Sequence, residues 1–171
     1  MFSKDIRLRP LERSDASTVA TLANNREIWL NLRDRFPHPY SMQDAEWYIN
    51  YVLDNEVEIV LGITYEGDLV GVIGVIKLDD VYSQGGDLGY WLGQPYWGKG
   101  IMTGALELFT TYCKDHLKLR RLEAGVFGSN LGSMRVLEKN GFKREGIRSS
   151  RIIKDGQEMD EHMFGLLLPN K

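Results

Sequence analysis

The sequence predicts one α/β domain over residues 1–171, a mixed central sheet of about seven strands flanked by about four helices. Two observations predict it. Short β-rich runs alternate with amphipathic stretches of helical period in the order β-α-α-β-β-β-α-β-α-β-β. The chain has 171 residues and is 43% hydrophobic, enough for one core and too little for two comfortable ones. No internal repeat, low-complexity tract or linker interrupts the pattern.

Each element has a local reason. Ile6-Arg7-Leu8-Arg9 alternates as a strand and stops at Pro10. Ser14 or Asp15 can cap a helix running to about Asn25, and Ser41 a second from about Gln43 to Leu53. Trp47, Tyr48, Tyr51 and Val52 fall at helical spacing in the second, and a proline-stiffened connector, Phe36 to Tyr40, joins the two. Glu58 to Tyr65 and Leu69 to Leu78 read as a hairpin turning at Glu66-Gly67-Asp68. A strand over Asp87 to Leu92 leads through a glycine-rich turn into a helix ending near Leu117. Its apolar face carries Ile101, Ala105, Leu108, Phe109 and Tyr112. Leu119 to Phe127 is the next strand, and Ser129-Asn130 starts a short helix closed by Gly141. Phe142 to about Ile153 and Gln157 to Leu168 form a last hairpin turning at Lys154-Asp155-Gly156.

Composition narrows the function. The formal charge of −3, from 21 basic and 24 acidic residues, argues against a nucleic-acid binder. The single cysteine, Cys113, excludes an internal disulfide, suits a reducing cytosol and falls on an apolar helical face. The first fifteen residues are too charged for a signal core, and the longest apolar run, Val70 to Ile76, falls far short of the roughly 20 residues of a membrane span. A cytoplasmic protein is expected, with no membrane partner. His38, His116 and His162 show no ligand spacing, so no metal site is expected.

The turn at Gly93-Gln-Pro-Tyr-Trp-Gly-Lys-Gly-Ile-Met-Thr-Gly104 carries most of the chemistry. Between a strand and a helix N-terminus, bare N–H groups and the helix dipole favour a phosphate. A nucleotide P-loop is excluded, because Gly100 stands where Ser or Thr must hold magnesium. A dinucleotide loop is excluded too: Thr103 occupies the third glycine position, and the next suitable acid, Glu123, lies mid-strand.

Trp97 to Thr103 instead resembles the pyrophosphate loop of the GNAT superfamily, the acyl-CoA-dependent N-acyltransferases, whose pattern is Gln/Arg-x-x-Gly-x-Gly/Ala. Gly100 matches, Trp97 stands for Gln or Arg, and Met102 replaces the small residue. Tyr-Trp-Gly-Lys-Gly-Ile-Met-Thr resembles more closely the branch that acetylates ribosomal-protein N-termini. A second stretch, Asn130-x-x-Ser133-x-Arg135-Val-Leu-Glu-Lys-Asn-Gly141-Phe142, resembles the family's helix after the fifth strand. The resemblance implies a GNAT-like fold over nearly the whole chain and acetyl-CoA as acyl donor. Its contacts would come from Tyr90, Trp91 and Leu92 on the strand, from Trp97, Gly98, Lys99, Gly100, Ile101, Met102 and Thr103 in the loop, and from Asn130.

Attack of an amine on a thioester needs a proton acceptor for the amine, a proton donor for the departing thiolate and a donor for the oxyanion, which a splayed strand backbone can supply. Asp87 is the candidate base, at a position where relatives often place Glu or Asp; its alternative is a solvated acid at a strand start. The family's usual tyrosine donor is replaced by Leu137, leaving Ser133, one turn earlier, as the nearest substitute. Asn130 contacts the pantetheine arm or caps its helix. The resemblance places the acceptor groove between the N-terminal helices and the C-terminal hairpin, with Phe36, Tyr40, Trp47 and Tyr82 as wall residues. An α-amine, with a pKa of about 7.7–8.0 against about 10.4 for lysine, needs only modest help from one carboxylate. A peptide N-terminus is the expected acceptor, with small amines, polyamines and aminoglycosides open. The competing function is an acyl-CoA-binding module without transfer activity; a homodimer is left open.

Overall fold

The computed structural model describes residues 5–169; residues 1–4 and 170–171 of the expected domain lie outside it. The described residues form one seven-stranded sheet in the order β1-β2-β3-β4-β5-β7-β6, with five α-helices. The strands are β1 (Ile6–Arg9), β2 (Glu58–Tyr65), β3 (Asp68–Lys77), β4 (Gly85–Leu92), β5 (Arg121–Phe127), β6 (Lys143–Lys154) and β7 (Gln157–Leu167). All neighbours run antiparallel except β4 and β5, which the crossover helix α4 (Ile101–Asp115) joins in parallel.

The sheet carries a core on each face. On one side α4 and α5 (Leu131–Lys139) pack over Ile73, Leu88, Leu122 and Phe164. α4 seals this core because Ile101, Ala105, Phe109 and Cys113 recur at helical spacing and are nearly or fully buried. On the other side α1 (Ala16–Ala23), α2 (Arg26–Trp29) and α3 (Met42–Leu53) cover Leu69, Val72 and Trp91. β4 serves both faces: Leu88 and Leu92 join the first core, and Trp91 the second.

Element boundaries follow local bonding. The helix expected to reach Asn25 ends at Ala23, because the Asn25 side chain accepts the N–H groups of Glu27 and Ile28 and starts the separate turn α2. Of Ser14 and Asp15, Asp15 stands at the N-cap of α1 but makes no side-chain bond to that helix; its carboxylate takes both terminal nitrogens of Arg9 at 2.7 Å and, in a box one turn earlier, the Glu12 N–H. Ser41 does cap α3, in a reciprocal box with Asp44. α3 buries Ala45, Ile49 and Val52, whereas Trp47 and Tyr51 stack on its exposed side. Among the described residues no helix is long and apolar enough to cross a membrane.

Candidate active site

The site begins where the sheet opens. The β4–β5 ladder ends at Asp87↔Glu123, so β4 from Leu88 to Leu92 is not paired with β5. A cavity of about 560 Å³ occupies the cleft, walled by Asp87, Gly89 and Trp91 of β4 and by Gly125, Phe127 and Glu161 across it. A strand with unpaired amides beside a cavity is a ready source of fixed hydrogen-bond donors.

Beyond β4 the chain makes a turn of 3-10 helix, Gln94–Tyr96, and enters α4. Gly98 and Gly100 lie in the left-handed region at φ 73° and 77°, and a Cβ on either would meet no neighbour within 4 Å. The backbone conformation, rather than crowding, therefore calls for glycine at both. No side chain caps α4, and no acid stands in its first turn. Its leading N–H groups are left for an anion. Trp97, in the Gln/Arg position, donates its indole N–H to the Leu92 carbonyl at 2.7 Å and ties loop to strand. The Lys99 ammonium lies 5.6 Å from the centre of the Tyr96 ring, while Ile101, Met102 and Thr103 face the core.

Ser133 and Tyr90 meet. Their hydroxyl oxygens are 2.8 Å apart, linking the first turn of α5 to β4. Burial pushes the Tyr90 phenol up to about 12, so it stays protonated across the physiological range. Asn130 caps α5 by accepting the Ser133 N–H at 3.1 Å through its carbonyl oxygen; its two N–H donors are not used by the cap. Leu137 is fully buried in the first core.

Asp87 lies half-buried at the root of the cleft. Burial raises its carboxyl above the ordinary aspartate value; Arg33, 3.3 Å away, opposes the rise, and the charges of Glu123 and Glu161 add to it. Glu161 pairs with Arg148 at 3.2 Å and leans over Gly125, where any side chain would collide with its carboxylate.

Phe36, Tyr40 and Trp47 line the same cavity as Asp87, Tyr90 and Trp91. Tyr82 does not; it lies on a turn after β3, 70% exposed. Arg33, Tyr48, Glu58 and Glu161 line the cavity without having been singled out in the sequence. Only the placing of the groove beside the C-terminal hairpin could have pointed to Glu161. The turn of that hairpin is pinned over the second helix: Lys154, 2% exposed, donates to Asp34 at 2.6 Å and sits 3.8 Å over the Trp29 ring, and Arg26 pairs with Asp155.

An uncapped helix start, a strand edge opened beside it and a carboxylate in the cleft are features that acyl transfer from a phosphate-bearing carrier to an amine would use. The chain belongs to the GNAT acetyltransferases: residues 5–143 match the Acetyltransferase (GNAT) domain. It is 34% identical to the Probable N-acetyltransferase YjcK of Bacillus subtilis (strain 168), over 98% of this chain and 96% of that protein. It is 27% identical to the Spermidine N(1)-acetyltransferase of Escherichia coli (strain K12), over 89% and 80% of the two chains. The fold is shared with RimL, a ribosomal L7/L12 alpha-N-protein acetyltransferase solved in complex with coenzyme A, at a TM-score of 0.86 and 21% identity over 97% and 96% of the two chains. The protein is thus an N-acetyltransferase. The uncapped start of α4 and the two left-handed glycines fit the coenzyme's pyrophosphate.

Proposed function

We propose that the chain acetylates the α-amine of a protein N-terminus, with Asp87 as the base and Ser133, backed by Tyr90, as proton donor to the thiolate. One observation carries this reading: Asp87 is a half-buried carboxylate with a raised pKa at the point where β4 and β5 part. Its raised basicity suits it to accept a proton from an amine that is itself only weakly protonated near neutral pH.

When bound, acetyl-CoA supplies the thioester carbon that the amine attacks. The leading amides of α4 and the loop from Trp97 to Gly100 hold its pyrophosphate, with Lys99 adding a charge that can swing from Tyr96. The unpaired edge of β4 from Tyr90 to Leu92 orients the acyl arm, and its amides polarise the reacting carbonyl. Asn130 caps α5 with its oxygen and offers its N–H groups to the arm. Either hydroxyl of the Tyr90–Ser133 pair can be the donor; in this reading Tyr90 donates, the Ser133 proton goes onward to the thiolate, and the Tyr90 proton replaces it on Ser133. Phe36 and Tyr40 exclude water around the amine, the exposed Trp47 forms the outer wall of the cavity, and Tyr82 takes no part in it. A cytoplasmic location is part of the same reading, since Cys113 is a free thiol in the core.

Thiol release from acetyl-CoA with short peptides, spermidine, lysine and aminoglycosides tests the proposal. Peptide α-amines should give the highest kcat/KM. A small amine surpassing every peptide would overturn the acceptor, and no amine-dependent release at all would overturn the roles of Asp87 and Ser133.

A further inference from the structure

We infer that the acceptor is an acidic peptide: its α-amine enters the inner cavity, and carboxylates of its next residues lie against Arg148 and Arg151 at the mouth. This rests on the N-terminal acceptor proposed above. Two adjoining cavities carry opposite charge. The inner one, about 560 Å³, has the carboxylates of Asp44, Glu58, Asp87 and Glu161 against Arg33 and Arg35, an environment for an ammonium group. The outer one, about 440 Å³, has Arg33, Arg148, Arg151 and Lys154 against Asp34 and Glu161. They share Leu32, Arg33, Phe127 and Glu161 as walls, so a ligand spanning both passes from a negative to a positive field.

The mouth charges are not all spent internally. Arg33 pairs with Asp87, Arg148 with Glu161, and Lys154 is held by Asp34 and Trp29. Arg151 has no ion-pair partner among the described residues. It is carried on a bulge: β6 and β7 are in register at Arg148↔Glu161 and again at Ile152↔Met159, which sets residues 149–151 opposite Asp160 alone. Ser150 takes a left-handed φ of 50°, and its N–H is held by the Asp160 carboxylate at 2.9 Å. Bulges of this kind re-aim side chains beside sites, and this one keeps Arg151 next to Arg148 on the cavity wall.

Each cavity falls within the roughly 300–1,000 Å³ of a whole small-ligand site, so a lone small amine would leave the mouth unused. A polyamine would bring its own positive charge against Arg151. An acidic peptide meets complementary charge at both ends.

Three hexapeptides with the same first residue, followed by acidic, neutral or basic residues, are compared with spermidine by thiol release. The acidic peptide should exceed the neutral one about tenfold in kcat/KM at low salt. That advantage should shrink as salt is raised toward about 0.5 M, and Arg151→Glu should abolish or invert it. Equal rates on acidic and neutral peptides, both above spermidine, would overturn the charge preference and leave the N-terminal acceptor standing. Spermidine above every peptide would overturn both. An unchanged preference in Arg151→Glu would overturn the assignment of the mouth.

Discussion

Replacing Gly100 separates two reasons why the loop before α4 needs glycine. At φ 77° an L-residue pays about 1–2 kcal/mol, and the open space around a Cβ there means no collision adds to it. Alanine recovers about 0.4–1 kcal/mol by restricting the unfolded chain, so Gly100→Ala should cost about 1 kcal/mol net. For a chain of 171 residues that lowers the melting temperature by about 2–4 °C. Asparagine tolerates the left-handed region, so Gly100→Asn should melt about 1 °C or less below the parent. Coenzyme-free thermal melts of the three proteins measure this. An unaltered melt for the alanine variant, or an asparagine variant no better than alanine, would refute the conformational reasoning. Acetyl-CoA affinity reads the other reason. Both variants carry a Cβ, so if the pyrophosphate approaches this backbone closely both should bind about tenfold more weakly. A loss confined to alanine would show that only the conformation matters.

Further outcomes follow from the cleft. Asp87→Asn should lower kcat by about a hundredfold or more and leave acetyl-CoA affinity nearly unchanged; equal loss of both would make Asp87 structural. Because the folded protein raises the Asp87 pKa, its stabilising contribution is complete below the unfolded carboxylate value and is lost as pH rises through the folded one. Asp87→Asn should therefore melt no lower than the parent at pH 7, and the acid limb of kcat/KM should lie above the value of an unperturbed aspartate; a limb at or below that value would refute the assignment. Ser133→Ala should slow thiolate release more than Tyr90→Phe does, since Tyr90 acts through Ser133; pre-steady-state thiol formation distinguishes them. Leu137→Ala should destabilise by about 3–5 kcal/mol in denaturant titrations without altering the pH profile, as expected of a fully buried core residue.

Much of the fold was legible because its signals are local. Strand alternation, the Ser41 box and the glycines of the loop act within a few residues, and β2 to β7 and α3 to α5 lie within about two residues of their expected bounds. The short turn α2 was not legible, because four residues carry no periodicity and its start depends on one Asn side chain. Asp15 takes the expected N-cap position of α1 without a side-chain cap bond for a related reason: its partner, Arg9, comes from the strand before the helix. The link between Tyr90 and Ser133 spans 43 residues and could be found only by folding.

Sequence alone determined the conformation of the loop proposed to hold the coenzyme. A phosphate-binding turn is made of consecutive residues, and its glycines carry their meaning in their own dihedral angles. The surroundings of the cleft proposed for the acceptor were decided by tertiary structure. Asp87 owes its surroundings to Arg33, 54 positions away, and to acids on β5 and β7. Charges separated that far along the chain set one another's energies only when the sheet brings them together and the burial that accompanies it lowers the dielectric between them.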